Sequence, residues 1–304
     1  MSMSVRGPAA ERLRGIGSMV AAVLIFSIMD ALLKRLSGHY GPFQVSCLRC
    51  YASLVPMTLV VGVRRSWSQL RLRSPALHLW RALFGITMLA GFVYAVHRMS
   101  LAETYAMFLC APLLMTLLSV PLQGERVPPR RWAAILLGLC GVLLILRPSG
   151  RGFGALAAGA AAAAALSYAL SGLTVRALGR TNSNASMVFW WLVLVGTGCG
   201  LLALGDWRPL DRGDWPWLAA VGVSGALGQY WVTDAFRRAP PSVVGPFEYT
   251  SILWAFGIDW LFWSASPSPR LLCGAGIVIA GGIGIVWDEH RLAQLAMTPA
   301  SPPP

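Results

Sequence analysis

The sequence predicts an all-α polytopic membrane protein, with ten transmembrane helices arranged as two inverted five-helix repeats. Three observations predict it. Hydrophobic residues make up 56% of the chain and charged residues only 12%, about half the ~25% charge usual in soluble domains. Apolar runs recur from end to end, each near the ~20 residues that a bilayer span requires. The second half also resembles the first. LAETYAMFLCAPLLMTLLSVPL aligns with PSVVGPFEYTSILWAFGIDWLF, so that Phe108 meets Phe247 and Pro112 meets Ser251.

The spans read in order as 15–37, 43–63, 76–97, 102–122, 131–147, 154–176, 183–204, 215–236, 241–263 and 269–287. Residues 1–14 form a basic N-terminal arm, 15–147 the first repeat and 154–287 the second. The tail, 288–304, ends in SPPP and is expected to be disordered. The linkers are short and rich in Arg, Pro and Gly, as in RRSWSQLRLRSP and QGERVPPRR. Five spans per repeat is an odd number, so the second repeat enters from the opposite face. Inverted repeats are a common transporter layout, with the substrate site near mid-membrane between them.

Charge orients the chain. With the N-terminus inside, cytoplasmic segments hold fifteen cations, from Arg6 to Arg291, and external segments hold eight, from Lys34 to Arg270. Arg49 and Arg81 fall inside spans. The excess of cytoplasmic cations places both termini in the cytoplasm. The net charge of +13 does not indicate nucleic acid, because the basic residues punctuate the apolar runs and form no single patch. Lys34 is the only lysine, a compositional hint of a bacterial source and hence of the inner membrane.

Six cysteines all lie in apolar runs. Cys47 and Cys50 make a CxxC, but no second pair or histidine follows at ligand spacing. They read as small apolar residues, and neither a metal nor a cofactor is expected. The glycine-rich runs of spans six and ten, such as GALAAGAAAAAALSYALSG, permit close helix packing. They carry no phosphate-loop signature, so ATP is not the energy source in this chain.

Several stretches together resemble the drug/metabolite transporter superfamily, EamA type. They are FSIMDALLKRL, QVSCLRCYASL with Arg49, LWRALFGITMLAGF with Arg81, the run from LAETYAM to LLILRP, and VTDAFRRAPPSVVGPFEYTSILWA. The resemblance covers roughly 15–290 and suggests a bacterial branch that includes S-adenosylmethionine carriers. It implies a ten-helix basket whose site is framed by spans one, three, four, six, eight and nine. It also implies traffic in amino acid-like, S-adenosylmethionine-like or amphiphilic drug-like compounds. The first repeat keeps the family's GER at Gly124–Arg126; the matching WSASPS of the second repeat has no acid.

Ionisable groups inside spans are the candidate site residues, since a lone charge there costs at least ~2.5–3.5 kcal/mol. Asp30 and Arg49 lie ~10 Å and ~9 Å below the external face on antiparallel neighbours, at 1.5 Å per residue. They read either as a clamp between helices or as a site lining a cavity; Lys34 is an alternative partner for Asp30. Glu248 lies ~10 Å above the cytoplasmic face, near the level of Arg81 and Gln229. It reads either as a cavity acid or as the structural partner of Arg81. A carboxylate there can exchange a proton, which makes protons a candidate coupling ion. Glu103 is assigned to the external half with Asp30 and Arg49, although its place near a span end also fits interfacial anchoring, as do those of Asp234 and Asp259. Tyr94 and Tyr249 are candidate stacking residues among the aromatics within spans, although packing is the favoured reading of each one taken alone.

The expected activity is therefore secondary transport of a small metabolite by alternating access. An enzyme is not expected, because the four histidines are scattered over span ends and loops. The alternative is a structural or sensory membrane protein that moves nothing. The expected partners are the substrate and the lipid bilayer.

Overall fold

The computed structural model describes residues 8–36, 39–98, 107–146, 155–251, 253–254, 257 and 269–297, and these are helical with short connections. The helices are α1 (Pro8–Leu36), α2 (Pro42–Val63), α3 (Pro75–Arg98), α4 (Ala111–Gln123) and α5 (Pro129–Leu146). They are followed by α6 (Ala155–Leu178), α7 (Asn184–Ala203), α8 (Trp215–Arg238), the short α9 (Pro241–Val244) and α10 (Pro269–Met297). Four stretches are long and apolar enough to cross a membrane: Ala10–Leu33, Pro42–Val63, Leu156–Leu178 and Asn184–Asp206. The chain is a polytopic, all-α membrane protein.

Helix starts follow proline. Pro8, Pro42, Pro75, Pro129, Pro241 and Pro269 each open a helix, and Pro112 and Pro216 sit second. An N-terminal proline loses no helical hydrogen bond, and its fixed φ suits the first turn. Ser183 caps α7, its hydroxyl accepting from Ser186 N at 3.0 Å. At the other end of α4, Gly124 takes φ +66°. Gly124 N and Glu125 N then bond back to the Val120 and Ser119 carbonyls, and the first of these is the bond of a left-handed C-cap. This local role explains the glycine of GER. Hydroxyls within helices bond to their own backbone, as Ser53 does to Arg49 O (2.8 Å) and Thr116 to Pro112 O (3.0 Å). In a medium without water, that internal bond is what makes a polar side chain tolerable.

Packing runs across the two halves of the chain. Helix α1 lies against α8, α3 against α6, α2 against α7 and α5 against α10, while α4 meets α9 and the turn after it. Small residues make these crossings close. A Cβ at Gly91 of α3 would stand 2.6 Å from the Ala160 carbonyl of α6. The main core joins Ile16, Met19 and Val23 of α1 to Phe236 of α8 and to Val243, Val244 and Phe247.

Two expectations need correction, and the break that Pro246 allows in the ninth span is present. The ninth span is not one continuous helix. It begins as α9 and passes into a 3-10 segment, Gly245–Thr250. Pro246 lacks the amide hydrogen that a regular ladder needs, and it crowds the preceding turn. The tail from 288 is not disordered throughout: α10 runs on to Met297. The N-terminal arm is likewise helical from Pro8, so α1 starts earlier than the expected span.

Candidate functional site

The 3-10 segment positions Glu248. Its carboxyl is buried, at 8% exposure. The Tyr168 hydroxyl of α6 donates to Glu248 Oε1 at 3.1 Å. Among the described residues no cation stands beside Glu248, and Tyr168 is the side chain that hydrogen-bonds to it. Tyr168 in turn meets the ring of Phe108 at 5.4 Å, and Phe108 meets Phe92 of α3 at 5.3 Å. Elements from both halves of the chain therefore converge on this carboxyl.

The expected partnership of Glu248 with Arg81 is not made. Arg81 is 3% exposed and held elsewhere. Its Nη1 donates to the Met187 carbonyl of α7 at 2.8 Å, and Nη2 to Thr233 Oγ1 of α8 at 3.3 Å. The guanidinium also lies 6.0 Å from the Trp191 ring centroid. Arg81 thus ties α3 to α7 and α8. A guanidinium can be satisfied by backbone oxygen, a hydroxyl and a ring face as well as by an acid, and depth alone does not distinguish these partners.

Asp30 sits near the C-terminal end of α1. Its side chain is exposed yet surrounded by protein, with the Arg49 charge acting on it. The two make no ion pair at contact distance among the described residues. Arg49 instead lies over the Phe26 ring, 5.6 Å from its centroid. Phe26 is one turn below Asp30, so cation and ring fill the space between the two helices. Lys34's side chain and all of Glu103 lie outside the described residues. Gln229 is buried on α8.

Tyr249 takes the packing role. It is 0% exposed and packs with Leu109 and Val278, its ring against Gly138 of α5. Its hydroxyl has no hydrogen-bond partner among the described residues. Adjacent residues in a tight helical turn point in different directions, so Glu248 and Tyr249 face opposite environments. Tyr249 is a packing residue. Tyr94, at 36% exposure, stands on α3 away from that cluster. Tyr168, Phe108 and Phe92 are the neighbours that ranking by charge did not select. Tyr168 is separated from Glu248 by 80 residues, and no local pattern links them.

Polar locks close both ends. At one end, Tyr40 donates to Asp214 at 2.9 Å, and the Gln44 amide pairs with both backbone groups of Arg208, at 2.6 and 3.0 Å. At the other end, Arg238 joins Glu11 of α1 to Asp234, which also accepts from Ser18. The Ser242 hydroxyl donates to Glu125, linking the GER turn to α9. An open groove of about 690 Å³ flanks that turn, between Leu117, Pro121, Arg126 and Trp132. Neither Asp30 nor Glu248 lines it.

The model of the EamA-like transporter family matches this chain twice, over residues 13–147 and 155–287. The chain belongs to the EamA-like transporter family. It is similar to a riboflavin transporter of Vibrio cholerae, at 30% identity over 92% of this chain and 95% of that one. It is 25% identical to the pseudopaline exporter CntI of Pseudomonas aeruginosa, over 89% of this chain and 95% of the other. It is 22% identical to an S-adenosylmethionine uptake transporter of Rickettsia felis, over 92% and 94% of the two chains. A solved crystal structure shares the fold, with a TM-score of 0.79 at 23% identity, over 91% of this chain and 98% of that one. As an EamA-like protein with these relatives, the chain is a small-molecule transporter.

Proposed function

We propose that the chain carries an amino acid-like, S-adenosylmethionine-like or amphiphilic drug-like metabolite across a bacterial inner membrane by alternating access. Ten spans would be divided between two inverted repeats, with both termini in the cytoplasm. The helix pairing supports this arrangement. Shifting every helix by five places turns the α1–α8 contact into α6–α3, and returns α2–α7, α4–α9 and α5–α10 to themselves. A pseudo-two-fold relation between halves produces that pattern, and the double match of one family model supports it.

The observation that carries the reading is Glu248, a buried carboxyl in a broken helix where the two halves meet, bonded by Tyr168 and without a cation. Irregular backbone at membrane depth is tolerated where it lines a cavity or is buried in protein, and an intramembrane acid without a counter-ion suits a substrate or proton site. Protons are accordingly the proposed coupling ion. In the outer half, Asp30 with Arg49 would form a second polar station.

The test is flux into proteoliposomes of riboflavin, S-adenosylmethionine and a panel of amino acids, with and without a pH gradient, for the parent and Glu248→Gln. Saturable flux of one compound, driven by the gradient and lost in the variant, is expected. Flux that survives Glu248→Gln would reduce Glu248 to a packing role. No flux from folded protein would favour a structural or sensory protein.

A further inference from the structure

The groove beside the GER turn carries a gradient of polarity. Its polar end is the turn between α4 and α5, where Arg126, Val127 and Trp132 line it. Its apolar end reaches Leu117, about two helical turns back along α4 from Gly124, or ~10 Å at 1.5 Å per residue. Leu117 and Val120 on this wall are 54% and 43% exposed. Beyond the turn the two helices take different partners: α4 packs on α6 and α9, and α5 packs on α10. The space between them stays open for that reason.

Charge in the groove is one-sided. Glu125 also borders it, but its carboxylate is turned into the protein. Oε1 accepts from the Ser242 hydroxyl, Oε2 is buried, and the Arg176 guanidinium lies within its field. Arg126 is exposed and makes no hydrogen bond or ion pair among the described residues. The same holds for the Arg126 and Val127 amide N–H groups and for the indole N–H of Trp132. The amides are unbonded for a local reason. Pro128 and Pro129 follow, a proline disfavours helix at the residue before it, and residues 124–128 are not helical. The polar end therefore holds one guanidinium and several N–H donors with no protein acceptor, above an apolar wall.

A phospholipid has the same gradient. Its phosphate suits a guanidinium and N–H donors, and its acyl chain suits the leucine and valine wall. Arg and Trp at the ends of membrane helices sit at headgroup level. The headgroup charge then discriminates. Phosphatidylcholine carries its own cation beside the phosphate, whereas an anionic lipid leaves the phosphate to Arg126. Free phosphate would use the donors and leave the apolar wall uncovered.

We propose that this groove binds an anionic phospholipid. The phosphate lies on Arg126 and the 126–127 amides, the Trp132 indole N–H faces the glycerol esters, and one acyl chain runs along Val120 and Leu117. The site is separate from Glu248 and does not rest on the transport reading.

Native mass spectrometry of the full-length, delipidated protein in detergent tests it, with phosphatidylglycerol and phosphatidylcholine of identical acyl chains. The first phosphatidylglycerol is expected to bind about fivefold more tightly than the first phosphatidylcholine, or ~1 kcal/mol. Arg126→Gln should bring phosphatidylglycerol to the phosphatidylcholine level, and Arg126→Lys, which keeps the charge, should retain most of the preference. Arg64→Gln, at an exposed turn elsewhere, controls for net charge and should change nothing. Val120→Trp fills the apolar wall and should weaken phosphatidylglycerol binding; melting temperatures confirm that each variant is folded. Equal affinity for the two lipids would overturn the proposal. So would an equal loss of preference in Arg126→Gln and Arg64→Gln. Inorganic phosphate that raises the melting temperature as much as phosphatidylglycerol does would assign the donors to a free anion and overturn the lipid. A dimer that Val120→Trp dissociates, without any lipid preference, would assign the groove to a second copy of the chain and overturn it as well.

Discussion

Replacing Gly91 with alanine tests how tightly the candidate site depends on helix packing. The new Cβ would stand 2.6 Å from the Ala160 carbonyl oxygen, 3.5 Å from the carbonyl carbon and 3.3 Å from Ala164 Cβ. Ordinary contact begins near 3.4 Å, so α3 and α6 must separate by 3.4 − 2.6 = 0.8 Å at this crossing. The obstacle is backbone, which cannot swing aside. Overpacking of this kind costs about 1–3 kcal/mol, and the helix propensity gained by losing a glycine returns up to ~1 kcal/mol. With the full return the net loss is about 0–2 kcal/mol, or up to a few degrees in melting temperature for a chain of this size. Gly159 on α6 is the control, since a Cβ there meets nothing within 4 Å; Gly159→Ala should be neutral or stabilising. Phe92 follows Gly91, and Tyr168 is carried by α6, so separating the helices also loosens the contacts that bring Tyr168 to Glu248. Thermal unfolding in detergent, paired with flux in proteoliposomes, reads both effects. Equal melting temperatures for the two alanine variants would refute the reasoning, because they would show that α3 and α6 are not in backbone contact at Gly91.

Other consequences are local. Gly124→Ala should lower stability by about 1 kcal/mol although its Cβ has open space, because φ +66° is left-handed; Gly124→Asn should lose less, and a melting curve for each compares them. Gln44→Leu removes both bonds to the Arg208 backbone, so amide exchange across 205–213 should accelerate while that of α7 stays unchanged. A membrane-permeant maleimide should label Cys140 and Cys273, which are exposed, well before the buried Cys47, Cys50 and Cys199; mass spectrometry of the labelled peptides gives the order. Ser242→Ala leaves Glu125 without that donor, and proteolysis in the 124–131 turn should become faster.

Much of the architecture was legible along the chain because its cause is local. A long apolar run in a chain with few charges has few fates besides a membrane helix. Proline and glycine mark the ends: Pro42, Pro75, Pro129 and Pro269 each open a helix near the expected start, and Gly124 closes α4. The ninth span showed the limit of that reasoning. Pro246 signalled a lost hydrogen bond, but only packing decided that the backbone would tighten into a 3-10 segment and continue.

Sequence by itself determined the class of molecule, the approximate edges of most spans and the few ionisable groups inside them. These follow from hydropathy and backbone chemistry, which act over a few residues. Tertiary structure alone decided the partners. It placed Arg81 on the Met187 carbonyl and Thr233 instead of on Glu248, put Arg49 over Phe26, and turned Tyr249 into the core while Glu248 met Tyr168. Depth in the membrane follows from counting residues. The direction a side chain takes around its helix axis depends on which helix packs against it, and those helices are distant in sequence.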